Sequence, residues 1–326
     1  MPKQVIERRR NGRSFQYFLD GRQITAKGEL DYFKSLGTPP AWKEVKISVN
    51  RRARILVTGL DRAGRLQYIY HPAFRARQDR EKFERTLRFA RTLPKMRRVT
   101  SQHLKEPGLG ANKVYATIVQ LMDKAYFRVG NDEYAQQNQS YGLTTMRSKH
   151  TEVKGDTIIF DFIGKSGKEH HKRVTDPNLA RVVKQLDNLP GYEVFKYYGE
   201  DGRLRRVHSE DVNAYIKEIM GEEFSAKDFR TWGGTLIATA ELASAERAPS
   251  LRERQKTVTD CVKAVAQKLG NTPAIALNSY IDPRVIKAFV HSDELSKVQK
   301  SIEKLTRTPY LSREEECVLQ LLEKAA

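Results

Sequence analysis

Tyr280 lies near the end of the run Lys268-Leu-Gly-Asn271-Thr-Pro-Ala-Ile-Ala-Leu-Asn-Ser-Tyr280-Ile281, a few residues past a helix stop at Gly270. Single tyrosines are mostly core or interface residues, yet this run offers no packing reason for a phenol. A phenol ionises near pH 10 and is a poor nucleophile until its anion is stabilised. A phosphodiester, itself anionic, repels it further. Clustered arginines answer both problems, because guanidinium pairs bidentately with nonbridging oxygens and spreads charge developing in a transition state. Three upstream cations stand in pointed positions. Arg128 reads as the end of an apolar helix leading into Val129-Gly130-Asn131, where a cation would also suit the helix macrodipole. Arg230, between Phe229 and Trp232 in a helix, reads as partly buried and therefore partnered; a structural ion pair fits the same description. Lys165 occupies a hairpin turn, Gly164-Lys-Ser-Gly167, where a solvated lysine is equally at home. With Tyr280 they fit a phosphoryl-transfer site, although spacing alone does not bring them together.

The charge balance points to the same kind of substrate. Fifty-nine Lys and Arg against 40 Asp and Glu leave +19 on 326 residues, a surplus expected for a polyanionic partner, nucleic acid first and anionic membrane second. No apolar run approaches the roughly 20 residues that span a bilayer. The opening MPKQVIERRRNGRSF lacks the apolar segment of a signal peptide, so no membrane partner is expected. Cys261 and Cys317 are far apart and lack metal-ligand spacing, with Cys261 on an apolar helix face. Both read as packing thiols in a reducing cytosol. The seven histidines form no HxxxH or HxH set, and their one cluster, His170-His171, falls in a polar turn region. Neither a metal nor a cofactor is expected.

The elements that must hold these residues fall into two groups, an α+β arrangement. Residues 1–78 are mostly short alternating strands, Ser14–Leu19, Val45–Val49, Arg54–Thr58 and Leu66–Tyr70, separated by turn chemistry at Asp20-Gly21, Asn50-Arg51 and Asp61–Gly64. One helix, Ala26 to Leu36, interrupts them before Gly37 and Pro39-Pro40. A small antiparallel sheet follows from this pattern. After a short linker around Gln78, residues 79–326 are mostly helical, with Phe83, Leu87 and Ala90 on one face and a long amphipathic helix near Lys113 to Arg128. A β-hairpin interrupts them, Thr157–Ile163 returning to about Val174. Helices resume at Leu179–Leu186, Glu210–Met220, after the capping pattern Ser225-Ala-Lys-Asp228, from about Gln255 to Leu269, and after Asp282-Pro283. The last segment to Ala326 reads as helical and charged. Two basic lobes on a flexible hinge could close as a clamp around a duplex.

A set of short motifs, in order and spread over nearly the whole chain, resembles the type IB DNA topoisomerases of the poxvirus-like branch that also occurs in bacteria. They are Pro39-Pro-Ala-Trp42, Gly64-Arg-Leu-Gln67-Tyr68-Ile-Tyr70, Phe127-Arg128-Val-Gly130 with Tyr134, and Gly142-Leu-Thr-Thr-Met-Arg-Ser-Lys149-His150. Phe162-Ile-Gly-Lys165, Lys227-Asp-Phe-Arg230-Thr231, Leu269-Gly-Asn271-Thr-Pro273 and Ser279-Tyr280 complete the set. The resemblance implies that Tyr280 attacks a DNA phosphodiester and becomes linked to the 3′-phosphate, that Arg128 and Arg230 hold the nonbridging oxygens, and that Lys165 is the general acid to the departing 5′-oxygen. The free end then swivels and the reverse attack reseals it, without ATP or metal. Gln67, Tyr68, Tyr70, Tyr134 and Lys227 match DNA-contacting positions. On physical grounds Gln67, Tyr68 and Tyr70 also suit an ordinary edge strand. The chain departs from the poxvirus pattern at Asn271, where a histidine is usual. Asparagine donates a neutral hydrogen bond and carries neither proton nor charge. Asn271 favours a bacterial member, acting as a monomer on double-stranded DNA in the cytoplasm at the nucleoid.

Two other readings compete. Tyrosine recombinases share the chemistry but usually carry His-x-x-Arg at the second arginine, where this chain has Lys227-Asp-Phe-Arg230. A non-catalytic architectural DNA-binding protein would use the +19 charge alone, and would be indifferent to the Tyr280 hydroxyl.

Overall fold

Alternation in the first seventy residues produces a six-stranded antiparallel sheet. Its strands are β1 (Val5–Asn11), β2 (Ser14–Leu19), β3 (Arg22–Gln23), β4 (Lys43–Ser48), β5 (Ile55–Leu60) and β6 (Leu66–Tyr70), in the order β3-β2-β1-β4-β5-β6. Helix α1 (Lys27–Ser35) places Phe33 in a small core with Ile6, Tyr17, Val45, Ile47, Leu56 and Val57. Two of these strands were not expected. In β1 the alternation is masked by Arg8-Arg9-Arg10, yet Arg8 and Arg9 lie over the Phe15 and Phe18 rings at 4.1 and 4.5 Å. The guanidinium planes cover the rings, Arg8 donating at the same time to the carbonyls of Thr38, Pro39 and Trp42 while Arg9 stays exposed, so arginine serves as strand residue. β3 is only two residues long, below the reach of any periodicity.

The computed structural model describes residues 4–246, 248–302 and 308–324, in two compact units, residues 1–82 and 83–326. The position at which the sequence suggests a linker, Gln78, lies inside a continuous helix α2 (Pro72–His103). Pro72 opens that helix where its missing N–H costs nothing, and no glycine follows to end it. The expected final helical run to Ala326 includes residues 303–307 and 325–326, which lie outside the described residues.

The second unit is mostly helical: α3 (Ala111–Ala125), α4 (Asp132–Asn138), then three strands β7 (Thr151–Lys154), β8 (Thr157–Gly164) and β9 (Lys168–Thr175), paired antiparallel in that order. Next come α5 (Pro177–Asp187), a two-stranded ribbon of β10 (Lys196–Tyr198) and β11 (Leu204–Arg206), α6 (Ser209–Met220), α7 (Ala226–Ser244) and α8 (Leu251–Leu269). The chain ends with α9 (Pro273–Ser279), α10 (Pro283–His291), α11 (Glu294–Ile302) and α12 (Arg313–Lys324). Among the described residues no helix is long and apolar enough to cross a membrane. Phe89, Phe229 and Trp232 lie in the core, with Phe89 edge-on to Phe229 at 4.9 Å. On α12, Glu315 accepts from both Arg97 and the Trp232 indole, tying the segment after Tyr280 to the helix that carries Arg230.

Candidate active site

Helix α7 is the frame. Ser225 and Asp228 form the expected capping box, which fixes the helix start and places Lys227 in its first turn and Arg230 one turn on. Two glycines stand in its middle at a cost of about 1 kcal/mol each relative to alanine. Their reason is close approach. A Cβ on Gly234 would lie 2.6 Å from the Tyr280 carbonyl oxygen, and one on Gly233 would lie 2.3 Å from the Tyr126 ring. Thr235 Oγ1 then donates to the Tyr280 carbonyl and accepts from Asp282 N–H, both at 3.1 Å. Tyr280 is half-buried at the C-cap of α9, a helix opened by the Thr272 cap and Pro273 that is not among the expected elements. Its backbone is therefore pinned while its ring remains accessible.

Arg128 does not end a helix. α3 stops at Ala125, Tyr126 takes the left-handed conformation at φ 55°, and the chain continues extended, paired through Leu143 N to Arg128 O at 3.0 Å and Thr144 N to Val129 O at 2.7 Å. A macrodipole role for Arg128 is thereby excluded. Its Nη2 donates to Asn271 Oδ1 at 2.7 Å and to Gly270 O at 3.3 Å. Arg230, 4% exposed, is not in an ion pair among the described residues. It donates to two main-chain carbonyls, Tyr126 O at 2.5 Å and Leu269 O at 2.7 Å, and its guanidinium carbon lies 5.2 Å from the Tyr280 ring centroid. The Arg230 Nε and Asn271 Nδ2 atoms are buried donors with no partner among the described residues.

The hairpin supplies the remaining groups. Lys165 is exposed at its tip, beside Ser166 and Gly167 at positive φ, with Nζ 5.9 Å from the Tyr134 ring on α4. On β9, residues Lys168, His170 and Lys172 share the inward face, as the two-residue strand period requires. Lys168 Nζ donates to Asn271 O and Lys172 Nζ to Ala125 O, each at 2.6 Å. His170 is thus on a strand and not in a turn, buried and stacked on Phe162 at 5.0 Å. It needs Gly270 opposite it, since a Cβ there would meet the His170 ring at 2.1 Å, and Gly270 also has φ +63°.

Burial, and then the charges of Lys172, Arg128, Arg230 and Lys168, push the His170 imidazole down to about 4. Between about pH 6.5 and 4 the unfolded chain takes up a proton at this residue that the folded protein refuses. Stability is therefore full above pH 6.5 and falls as the pH drops toward 4, by up to about 3 kcal/mol from this residue. Urea unfolding of the wild type and His170→Asn at pH 7 and 4.5 checks this: the gap between them is expected to narrow by about 2 kcal/mol on acidification. A gap independent of pH would show that His170 titrates alike in both states.

Arg128, Lys165, Lys227, Arg230, Asn271 and Tyr280 line one open cleft of about 400 Å³, together with Lys168. Five cations line it and, among the described residues, no carboxylate does. Burial lowers Arg128 to about 10, with the neighbouring Arg230 charge adding to the effect, and burial lowers Arg230 as well. Behind them Lys172 is lowered to about 8 by burial and the two arginines. Cations crowded at such cost await an anion. Burial alone would raise the Tyr280 phenol, but the charge and hydrogen bond of Arg230, then the charges of Arg128 and Lys227, outweigh it and carry it below the ordinary tyrosine value. A half-buried phenol whose anion is favoured, facing guanidiniums that are in no ion pair among the described residues, has the groups that attack on a phosphate ester requires.

Gln67, Tyr68 and Tyr70 lie in the other unit, on the edge strand β6. Tyr68 and Tyr70 are exposed and stacked at 6.0 Å, while Gln67 donates to Asp61 at 3.0 Å. Lys168 and Lys172 are absent from the residues expected on sequence grounds, and His170 is expected only in a turn. The period of two along β9 was the signal, hidden because charged residues occupy both of its faces.

A family model described as the catalytic core of eukaryotic DNA topoisomerase I matches residues 71–309, and one described as the N-terminal domain of bacterial DNA topoisomerase IB matches residues 14–61. DNA topoisomerase 1B of Acanthamoeba polyphaga mimivirus is 31% identical over 298 residues, covering 89% of this chain and 88% of its own. DNA topoisomerase 1B of vaccinia virus (strain Copenhagen) is 23% identical over 250 residues, 76% of each. DNA topoisomerase 1 of Mycosarcoma maydis is 27% identical over 222 residues, 60% of this chain and 22% of that protein.

Proposed function

We propose, for a chain that belongs to the type IB DNA topoisomerase family, that Tyr280 is the residue with which it breaks and reseals one strand of duplex DNA. The activity is that of a DNA topoisomerase, an isomerase that changes the linking of a duplex and leaves its sequence intact. The Tyr280 oxygen, losing its proton to solvent, attacks phosphorus; the bond to the 5′-oxygen breaks, and Lys165 protonates that oxygen as it leaves. The products are a 3′-phosphotyrosyl ester and a 5′-hydroxyl. Arg128 and Arg230 hold the nonbridging oxygens, with the unpartnered Asn271 Nδ2 as a neutral donor beside them. After the free end turns, the 5′-hydroxyl attacks the ester and returns the proton to Lys165. The ester keeps the energy of the broken bond and the arginines neutralise the charge, so the reaction calls for neither ATP nor a metal ion.

The observation that carries this reading is the half-buried, acid-shifted Tyr280 among cations with, among the described residues, no carboxylate lining the same cleft. Tyr134 and Lys227 are assigned to DNA backbone near the cleft, and Gln67, Tyr68 and Tyr70 to bases and phosphates from the amino-terminal domain. The domain ranges 1–78 for DNA binding and 79–326 for catalysis, closure of the two as a clamp, a monomeric state and a place in the cytoplasm at the bacterial nucleoid complete the proposal.

Denaturant trapping tests it. Wild-type protein mixed with duplex DNA and quenched with detergent is expected to carry DNA covalently on the peptide containing Tyr280, joined through a 3′-phosphate. Relaxation of supercoiled plasmid in chelator, without ATP and without any paired recombination site, is expected alongside. An adduct through a 5′-phosphate, or none at all, rejects the mechanism.

A further inference from the structure

The cleft holds one cation for which the reaction above has no use. Lys168, the first residue of β9, is half-buried and donates one N–H to the Asn271 carbonyl at 2.6 Å. An ammonium has three N–H groups, so two remain. Among the described residues no carboxylate pairs with it, and it lines the cleft with Arg128, Arg230 and Tyr280. The residue to which it is tied is the weak corner of the site. Asn271 has its Oδ1 engaged by Arg128 and presents only Nδ2, a buried neutral donor with no partner among the described residues. We propose that Lys168 is a further catalytic residue, an ammonium that binds a nonbridging oxygen of the scissile phosphate at the corner where Asn271 offers only a neutral amide.

The chemistry favours that role over a mere staple between hairpin and turn. A lysine whose sole task was to hold the Asn271 carbonyl would serve as well with a neutral donor, and would leave an uncompensated charge beside Arg128 and Arg230. A phosphodiester removes that penalty, because its charge pairs with the ammonium while the carbonyl fixes where the ammonium stands. Two cations on one oxygen anion also stabilise a transition state in which the equatorial oxygens gather charge. The proposal rests on Tyr280 being the nucleophile.

The test uses the full chain in single-turnover cleavage of a duplex carrying, at the scissile position, either the ordinary diester or a methylphosphonate, which replaces one charged oxygen with a neutral methyl group. Lys168→Ala is expected to slow diester cleavage by about 100-fold, the scale for one lost transition-state donor. On the methylphosphonate isomer whose methyl takes the place of the contacted oxygen, the loss is expected to shrink below about threefold. Lys168→Gln keeps a donor for the Asn271 carbonyl without the charge, and is expected to be as slow on the diester as Lys168→Ala; Lys168→Arg restores most of the rate. Losses equal on diester and both methylphosphonate isomers, or full activity in Lys168→Gln, would overturn the proposal in favour of a staple. No covalent adduct from the wild type in the same gels would instead reject the Tyr280 mechanism itself.

Discussion

Tyr280→Phe is expected to bind duplex DNA within about twofold of the wild type and to relax no plasmid, a loss of at least ~10⁴-fold of the kind seen when a covalent nucleophile is removed. The substitution removes one oxygen atom. The contacts that seat residue 280 are made by its main chain, to Thr235 Oγ1 and across Gly234, so the fold is untouched. The cations that attract DNA, Arg128, Lys165, Lys168, Lys227 and Arg230, also remain in place. Affinity and chemistry are thus separated by a single atom. Filter binding and plasmid relaxation measured on one preparation decide the matter. An architectural protein that works by charge alone would keep its function in this variant, and relaxation retained by Tyr280→Phe would refute the assignment outright.

Arg230→Ala is expected to cost far more than Asn271→Ala, although both residues are buried in the same corner. Arg230 carries a full charge toward the phosphate, where loss of a comparable arginine slows phosphoryl transfer by ~10³–10⁵-fold. It also satisfies the carbonyls of Tyr126 and Leu269. Those carbonyls join the segment leading to Arg128 and the turn before Asn271, so the alanine variant disturbs two neighbours as well as removing a cation. Leaving a buried carbonyl without its donor costs about 1–3 kcal/mol, and a lysine would lack the fixed planar fork with which Arg230 meets both. Asn271→Ala removes one neutral donor and the acceptor that aligns Arg128. A loss of about tenfold matches a hydrogen bond worth ~1.4 kcal/mol. Single-turnover cleavage of both variants, at a temperature where circular dichroism shows each folded, ranks them. Equal losses would mean that Asn271 does more than donate a hydrogen bond.

Several features were legible because local chemistry alone determines them. Capping at Ser225 and Asp282, the stop at Gly270, the hairpin of β8 and β9, and strands β2 and β6 depend on residues next to one another in the chain, and these elements fall where the sequence suggests. Helix α9 is not legible in the sequence because it is a single short piece, seven residues whose cap, Thr272, follows directly on the stop at Gly270. β1 escaped because its arginines obscure the alternation. Arg128 reads as a helix end because the apolar face of α3 runs on through Tyr126, whereas the left-handed turn at Tyr126 goes with packing of its ring on Gly233, about a hundred residues away in the chain.

By itself the sequence singled out the residue types suited to the proposed chemistry, since a phenol, guanidiniums and a surplus of positive charge have reactivities that no fold alters in kind. It also determined the class of fold, an antiparallel sheet followed by a helical unit, because hydrophobic period is a local property. Only the tertiary structure decided what those residues touch. Arg230 holds carbonyls and, among the described residues, no carboxylate, Arg128 is aligned by Asn271, and Lys168 lines the cleft with His170 packed on Gly270, because β9 packs its inward face against that turn. Each of these contacts joins residues some 40 to 140 positions apart in the chain. Spacing along a sequence carries no record of such distances; they follow from close packing around two glycines, at 234 and 270, which leave room for Tyr280 and His170.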